Sequence, residues 1–189
     1  MTAVSSVYAQ RLIMTLFLVS FGIYLFLATV TYTPFDPGWM HISSDTQQVS
    51  NASGVAGAWI ADLLFGFLGW ASLLIPVFLF VEAIQVWWPY SFLNKPFRYS
   101  AQFFILLASA SLLYLYWQVP ADTLDNSSGG IIGYELGESQ SQILTIYGAT
   151  IFLVIFWFVL FTLAFGVKWN RTWATLKATP AYLQDLFYK

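Results

Sequence analysis

Residues 55–88 read VAGAWIADLLFGFLGWASLLIPVFLFVEAIQVWW. The stretch is apolar throughout except for two acids, Asp62 and Glu82, which stand twenty positions apart. At ~1.5 Å per helical residue that separation is ~30 Å, one hydrocarbon thickness. The two carboxylates can therefore sit at opposite interfaces of one spanning helix and escape most of the cost of burial. Pro76, between them, predicts a kink. Twenty steps of ~100° leave the acids ~160° apart around the helix, which disfavours a proton relay along one face.

Working outward, residues 12–35, 99–121 and 139–167 contain no ionised side chain, and each exceeds the ~20 residues a span requires. Hydrophobic residues make up 59% of the chain and charged ones 8%, against roughly 45–50% and about 25% in ordinary soluble domains. The expected fold is an all-α membrane protein of four transmembrane helices arranged as two hairpins, with spans at about 12–33, 57–87, 99–119 and 141–167. Residues 1–11 form a head, about 34–54 and 120–140 form loops, and 168–189 form a tail. Span one is longer than the 7–15-residue apolar region of a cleaved signal peptide and reads as a retained anchor.

Charge orients the spans. Arg11, Lys95, Arg98, Lys168, Arg171, Lys177 and Lys189 all fall on head, middle loop or tail, whereas the other two loops carry Asp36, Asp45, Asp122, Asp125, Glu135 and Glu138 with no Lys or Arg. The positive-inside rule places both termini in the cytoplasm. Trp87, Trp88, Trp169 and Trp173 fall at span ends on the same side, where aromatic rings favour the headgroup layer.

The loops that precede spans two and four carry similar text, Ser53-Gly54-Val55-Ala56-Gly57-Ala58 and Gly129-Gly130-Ile131-Ile132-Gly133-Tyr134. Each has an asparagine upstream (Asn51, Asn126), a carboxylate downstream (Asp62, Glu135) and then another glycine (Gly69, Gly148). This pattern points to two related hairpins in parallel. Glycine at these points suits tight turns and close backbone approach.

Tyr32-Thr33-Pro34-Phe35-Asp36-Pro37-Gly38-Trp39, followed by Gly54-Val55-Ala56-Gly57-Ala58-Trp59-Ile60-Ala61-Asp62-Leu63-Leu64, a later Pro76 and Gly130-Ile131-Ile132-Gly133, resembles the four-helix membrane domain of the FtsK family of bacterial DNA translocases. The resemblance runs over about 12–167. It makes Asp36, Pro37, Trp39, Gly54, Gly57, Trp59, Asp62, Pro76, Gly130 and Gly133 candidates for structural or partner contacts. It implies a multi-pass bacterial inner-membrane protein at the division septum that joins the divisome and links cell division to chromosome partition. Membrane lipid, other septal division proteins and a homo-oligomer are the partners it implies. In that family a linker and a RecA-like motor follow, and the motor uses ATP and Mg and engages DNA. This chain has no Gly-x-x-x-x-Gly-Lys-Ser/Thr loop. No catalytic, cofactor-binding or metal residue is therefore assigned to it, and DNA is expected to be reached only through the motor.

Other features read more plainly. Asp62 is shallow and is expected to reach interfacial water, and Glu82 resembles it at the opposite face. Ala108-Ser109-Ala110-Ser111 marks a close helix contact. His41 with Asp36 and Asp45 makes a poor metal set. Cysteine is absent and histidine occurs once, which excludes a disulfide framework, bis-histidine haem ligation and a histidine-assisted intramembrane serine protease. In the tail, Trp169, Trp173 and Leu176 share a helical face among cations, as in an interfacial helix on anionic lipid. Thr179-Pro180 there predicts the start of a further short helix. A small transporter or channel subunit is the alternative function, weakened by a midplane that is almost wholly apolar.

Overall fold

The computed structural model of the chain describes residues 3–40, 48–117 and 128–188. His41, Asp45, Asp122 and Asp125 lie outside these residues, and with them the His41 metal question. Helix α1 is Ala3–Val30, α2 Gly54–Leu68, α3 Leu74–Trp87, α4 Lys95–Tyr116, α5 Gly130–Phe165 and α6 Trp169–Phe187, with a 3-10 turn at Gly69–Leu73 between α2 and α3. The described residues form no strand. Four helical segments are long and apolar enough to cross a membrane: Ser5–Val30, Gly54–Trp87, Lys95–Tyr116 and Gly130–Phe165.

The second and fourth segments are each broken. α2 ends at Gly69, whose φ of 59° and ψ of −138° no helix can accommodate. α5 is interrupted at Thr145, with φ 63° and ψ 168°. The two breaks correspond in position. α2 starts at Gly54 (φ 74°) and breaks at Gly69, while α5 starts at Gly130 (φ 66°) and breaks at Thr145, both fifteen positions on. The kink expected at Pro76 instead falls seven residues upstream of it. Pro76 occupies the first turn of α3, where its missing N–H leaves no interior bond unmade.

Pairing directions follow from contacts. Tyr24 bonds Ser53, Ala28 lies beside Gly57, and Tyr32 stacks on Phe65, so α2 runs in the same sense as α1. Gly22 meets Phe80 and Thr15 accepts from Trp87, so α3 runs back along α1. The second half repeats this plan. Gly133 lies against Ala110 and Gly137 against Tyr114, whereas Tyr116 bonds Thr150 and Trp157 donates to Ser109. Each half is thus a long helix, a loop, a short helix climbing beside the end of the long one, a break, and a returning helix. At ~2.0 Å per residue for the 3-10 turn and ~1.5 Å for α-helix, residues 69–87 measure about 31 Å and 146–165 about 30 Å. The returning helices alone match one hydrocarbon thickness. Residues 54–68 and 130–144 are additional, so the stretch 130–140, expected as loop, is helix.

Alanines fill many of the closest helix contacts, beside larger buried residues such as Phe65, Ile105 and Leu153. Ala28, Ala61, Ala108, Ala110, Ala149 and Ala164 are buried, while Ile143 and Tyr147 are 80% and 78% exposed. Small residues inside and large apolar residues outside are what lipid as solvent selects. The small-residue run 108–111 is where α5 comes close, with Gly129 and Gly133 both against the Ala110 carbonyl. α6 continues through Pro180 as one helix and does not restart at Thr179. The Thr179 hydroxyl donates to the Thr175 carbonyl instead of capping a new helix.

Candidate functional site

The end of the bundle at Val30 and Tyr116 is called the loop face here, and the end at Trp87 and Lys95 the linker face. Each face carries a buried carboxylate cluster.

At the loop face Asp62 is 2% exposed. Its Oδ2 accepts from the Met40 backbone N–H at 2.6 Å, and Oδ1 lies at 3.5 Å from the Tyr32 hydroxyl. The expectation of an acid reaching interfacial water is corrected. Asp62 points into the loop that precedes α2 and holds it, because an N–H bonded to a carboxylate offsets desolvation better than partial hydration can. Gly38 leaves the room for this, since a Cβ there would collide with the Asp62 side chain.

Asp36, also buried, accepts from both the backbone N–H and the hydroxyl of Ser50 at 2.9 Å, tying the start of the loop to its end. Asn51 donates to the Ala28 carbonyl at 2.8 Å, and Ser53 donates to the Tyr24 carbonyl at 2.9 Å. Gly57 is required at this crossing, where a Cβ would strike Ser53 and approach Asn51. Half-buried Pro37 precedes Gly38. Trp39 and Trp59 stand edge to face with centroids 5.2 Å apart, and they are 67% and 37% exposed. Of the ten candidate residues, the loop face gathers seven into one clamp: Asp36, Gly57 and Asp62 are buried, Pro37 is half-buried, and Gly54, Trp39 and Trp59 are exposed, the two indoles as a pair on the outside.

Gly130 and Gly133 lie in the corresponding place in the second half. The halves interlock there, since the Trp70 N–H donates to the Ser128 carbonyl at 2.9 Å and the Ser128 hydroxyl bonds the carbonyls of Leu113 and Trp117. The counterpart of Asp62 is Glu138, eight positions past Gly130 as Asp62 is eight past Gly54, and not Glu135. Tyr114 donates to Glu138 at 3.0 Å.

At the linker face Glu82 is buried and receives both arms of Arg98, Nε to Oε1 and Nη2 to Oε2, each at 2.7 Å. Gln102 donates to Oε1 at 2.9 Å. This bidentate pair joins α3 to α4, and so joins the two halves. In the sequence Arg98 stands only as a cation of the loop between spans two and three, and Gln102 carries no signal. Close by, burial first and then the Glu82 carboxylate raise the Tyr90 phenol above its ordinary pKa. Trp87 is held by Thr15 and packs on Tyr8, while Trp88, Trp169 and Trp173 are exposed at 70%, 45% and 62%.

The family of the 4TM region of DNA translocase FtsK/SpoIIIE matches residues 9–177. The chain belongs to this FtsK/SpoIIIE membrane-domain family. Among relatives, it is 35% identical over 180 residues to the DNA translocase FtsK of Pseudomonas syringae pv. syringae, covering 90% of this chain and 22% of that protein. It is 35% identical over 160 residues to the Pseudomonas aeruginosa protein of the same description, covering 79% and 19%. With that of Vibrio vulnificus it shares 31% over 152 residues, covering 77% and 15%. The chain thus spans about a fifth or less of these FtsK relatives, and what it matches is their membrane region, not the motor. No solved structure matches it. Membership in the FtsK membrane-domain family and four apolar helical segments together make it a multi-pass inner-membrane anchor of FtsK type.

Proposed function

We propose that this membrane domain tethers an FtsK-type DNA translocase at the division septum, and that its loop face, directed to the periplasm, docks other division proteins. The observation that carries this reading is the loop-face clamp. Asp62 and Asp36 are turned inside it, holding the Met40 and Ser50 backbone N–H groups, while Trp39 and Trp59 pack edge to face on its outside. Paired exposed aromatics that pack on one another are a favourable protein-contact surface, because less side-chain freedom remains to be lost on binding. The placement of all cations on head, linker and tail supports a cytoplasmic linker face. On this reading the segment acts by binding, and ATP, Mg and DNA are engaged by a motor beyond it.

A fluorescent fusion of residues 1–189 expressed in dividing cells is expected to gather at septa. Trp39→Ala with Trp59→Ala should disperse it over the membrane while leaving the melting temperature in detergent unchanged. Diffuse fluorescence from the unsubstituted segment would overturn septal tethering, and undiminished gathering of the double variant would remove the indole pair from the docking surface.

A further inference from the structure

A cavity of about 730 Å³ opens between α1, α3 and α4 at the linker face. It exists because α1 and α4 nowhere approach within 8 Å Cα to Cα, leaving α3 as the floor between them. Its lining is ordered by depth. Arg11 and Lys95 stand near the linker end of their helices, Gln85 sits inward of them one turn from Glu82, and Leu18, Leu79 and Leu106 line the deeper part. Volumes of ~300–1,000 Å³ are typical of sites for small molecules.

Three observations indicate what fills it. First, Glu82 neutralises Arg98 within the wall, so that pair attracts nothing further. Arg11 and Lys95 are exposed, and neither forms an ion pair with a carboxylate among the described residues. Two cations thus flank the entrance uncompensated. Second, Gln85 is 5% exposed, and its Nε2 is buried without a hydrogen-bond partner. The Tyr90 N–H donates to Oε1 at 3.2 Å, which fixes the amide so that the unmatched group is the donor. A buried donor without an acceptor is costly, and a ligand oxygen brought to it would remove that cost. Third, beyond Glu82, Arg98 and Gln102, which satisfy one another, the deeper lining is apolar (Leu18, Ile75, Phe78, Leu79, Leu106), with half-exposed Met14 and Phe103 at its margins.

A ligand with anionic oxygens outermost, an ester oxygen below them and hydrocarbon beneath satisfies all three. We infer that this groove is a binding site for one anionic phospholipid of the leaflet at the linker face. Its phosphate lies between Arg11 and Lys95, an ester oxygen accepts from Gln85 Nε2, and an acyl chain covers Leu18, Leu79 and Leu106. The bound lipid joins α1 to α4 where the protein leaves them apart. The site is separate from α6, whose cations lie on a helix that buries no residue.

Native mass spectrometry of the full chain, titrated in detergent with phosphatidylglycerol, phosphatidylcholine or inorganic phosphate, tests this. One phosphatidylglycerol should be retained in preference to phosphatidylcholine, and phosphate should not displace it. R11Q with K95Q should weaken its binding about thirtyfold, the loss of two near-surface cation contacts. Gln85→Leu should also weaken it, while R171Q with K177Q on α6 should leave it unchanged. Equal retention of phosphatidylcholine, displacement by inorganic phosphate, or an equal loss on substituting the α6 cations would each overturn the inference.

Discussion

Asp62 and Glu138 hold the same station in the two halves of the molecule. Each follows a left-handed glycine by eight positions, and each faces a tyrosine hydroxyl, Tyr32 just past the end of α1 for Asp62 and Tyr114 in the last turns of α4 for Glu138. They differ in what else they hold. Asp62 is buried and also accepts the Met40 N–H, whereas Glu138 is half-buried and shares its other oxygen with Gln142 on its own helix. Asp62→Ala should therefore cost about 2–3 kcal/mol, within the range for losing charged hydrogen bonds in a buried setting, and Glu138→Ala clearly less. Thermal melts of both variants in one detergent check the order.

The Glu82–Arg98 pair makes a second prediction. Arg98→Met alone leaves a buried carboxylate and should cost about 3–5 kcal/mol. Adding Glu82→Leu should recover much of that loss, since the double variant replaces an ion pair by apolar contact. Melting temperatures of the two singles and the double form the cycle, and a strictly additive result would show that the pair is not coupled.

Gly54 and Gly130 share a backbone conformation but not surroundings. A Cβ at Gly54 meets nothing within 4 Å, whereas one at Gly130 would lie 2.5 Å from the Phe67 carbonyl carbon. Gly54→Ala should cost only the left-handed penalty of about 1–2 kcal/mol, and Gly130→Ala that penalty plus about 1–3 kcal/mol of overpacking. Gly57→Leu and Gly133→Leu should reduce folded yield for the second of these reasons, the Gly133 position lying 2.5 Å from the Ala110 carbonyl oxygen.

Thr145 occupies a region of backbone space used almost solely by glycine, at a cost of about 1–3 kcal/mol. Thr145→Gly should raise the melting temperature, and Gly69→Thr, which places the same residue type in the matching break, should lower it. A destabilised Thr145→Gly variant would show that the threonine side chain outweighs its backbone.

Sidedness is open to cysteine labelling. With the loop face periplasmic, S43C and S127C should react with an impermeant reagent in intact spheroplasts while N94C should not. The reverse pattern would invert the molecule.

The four apolar stretches, the all-α class and the paired glycine entrances were legible in the sequence because hydropathy and glycine spacing report directly on burial and turns. The breaks were not. Residues 69–73 and 145 are as apolar or as unremarkable as their neighbours, and Pro76 drew the expected kink to itself although a proline in a first turn bends nothing. Thr145 has no compositional signature for a positive φ. The sites divided along the same line. Asp36, Gly57 and Asp62 stood out through motif density, but the partner of Glu82 required knowing that Arg98 faces inward, and a count of charges per loop cannot contain that.

α6 buries no residue, and it follows a junction at Gly166 where a Cβ would strike the Tyr90 carbonyl and where Phe92 N–H bonds the Leu163 carbonyl. A pull applied along the chain beyond residue 188 would therefore meet two stiffnesses in series. α6 would peel first, at low force, because beyond Trp169, which packs on Phe158 and donates to Thr162, it buries no face to shear. The load would then arrive at Gly166 and divide between α5 and the 88–94 linker, reaching α3 and α4 together. Such an anchor absorbs small tugs in its tail and spreads large ones over both halves.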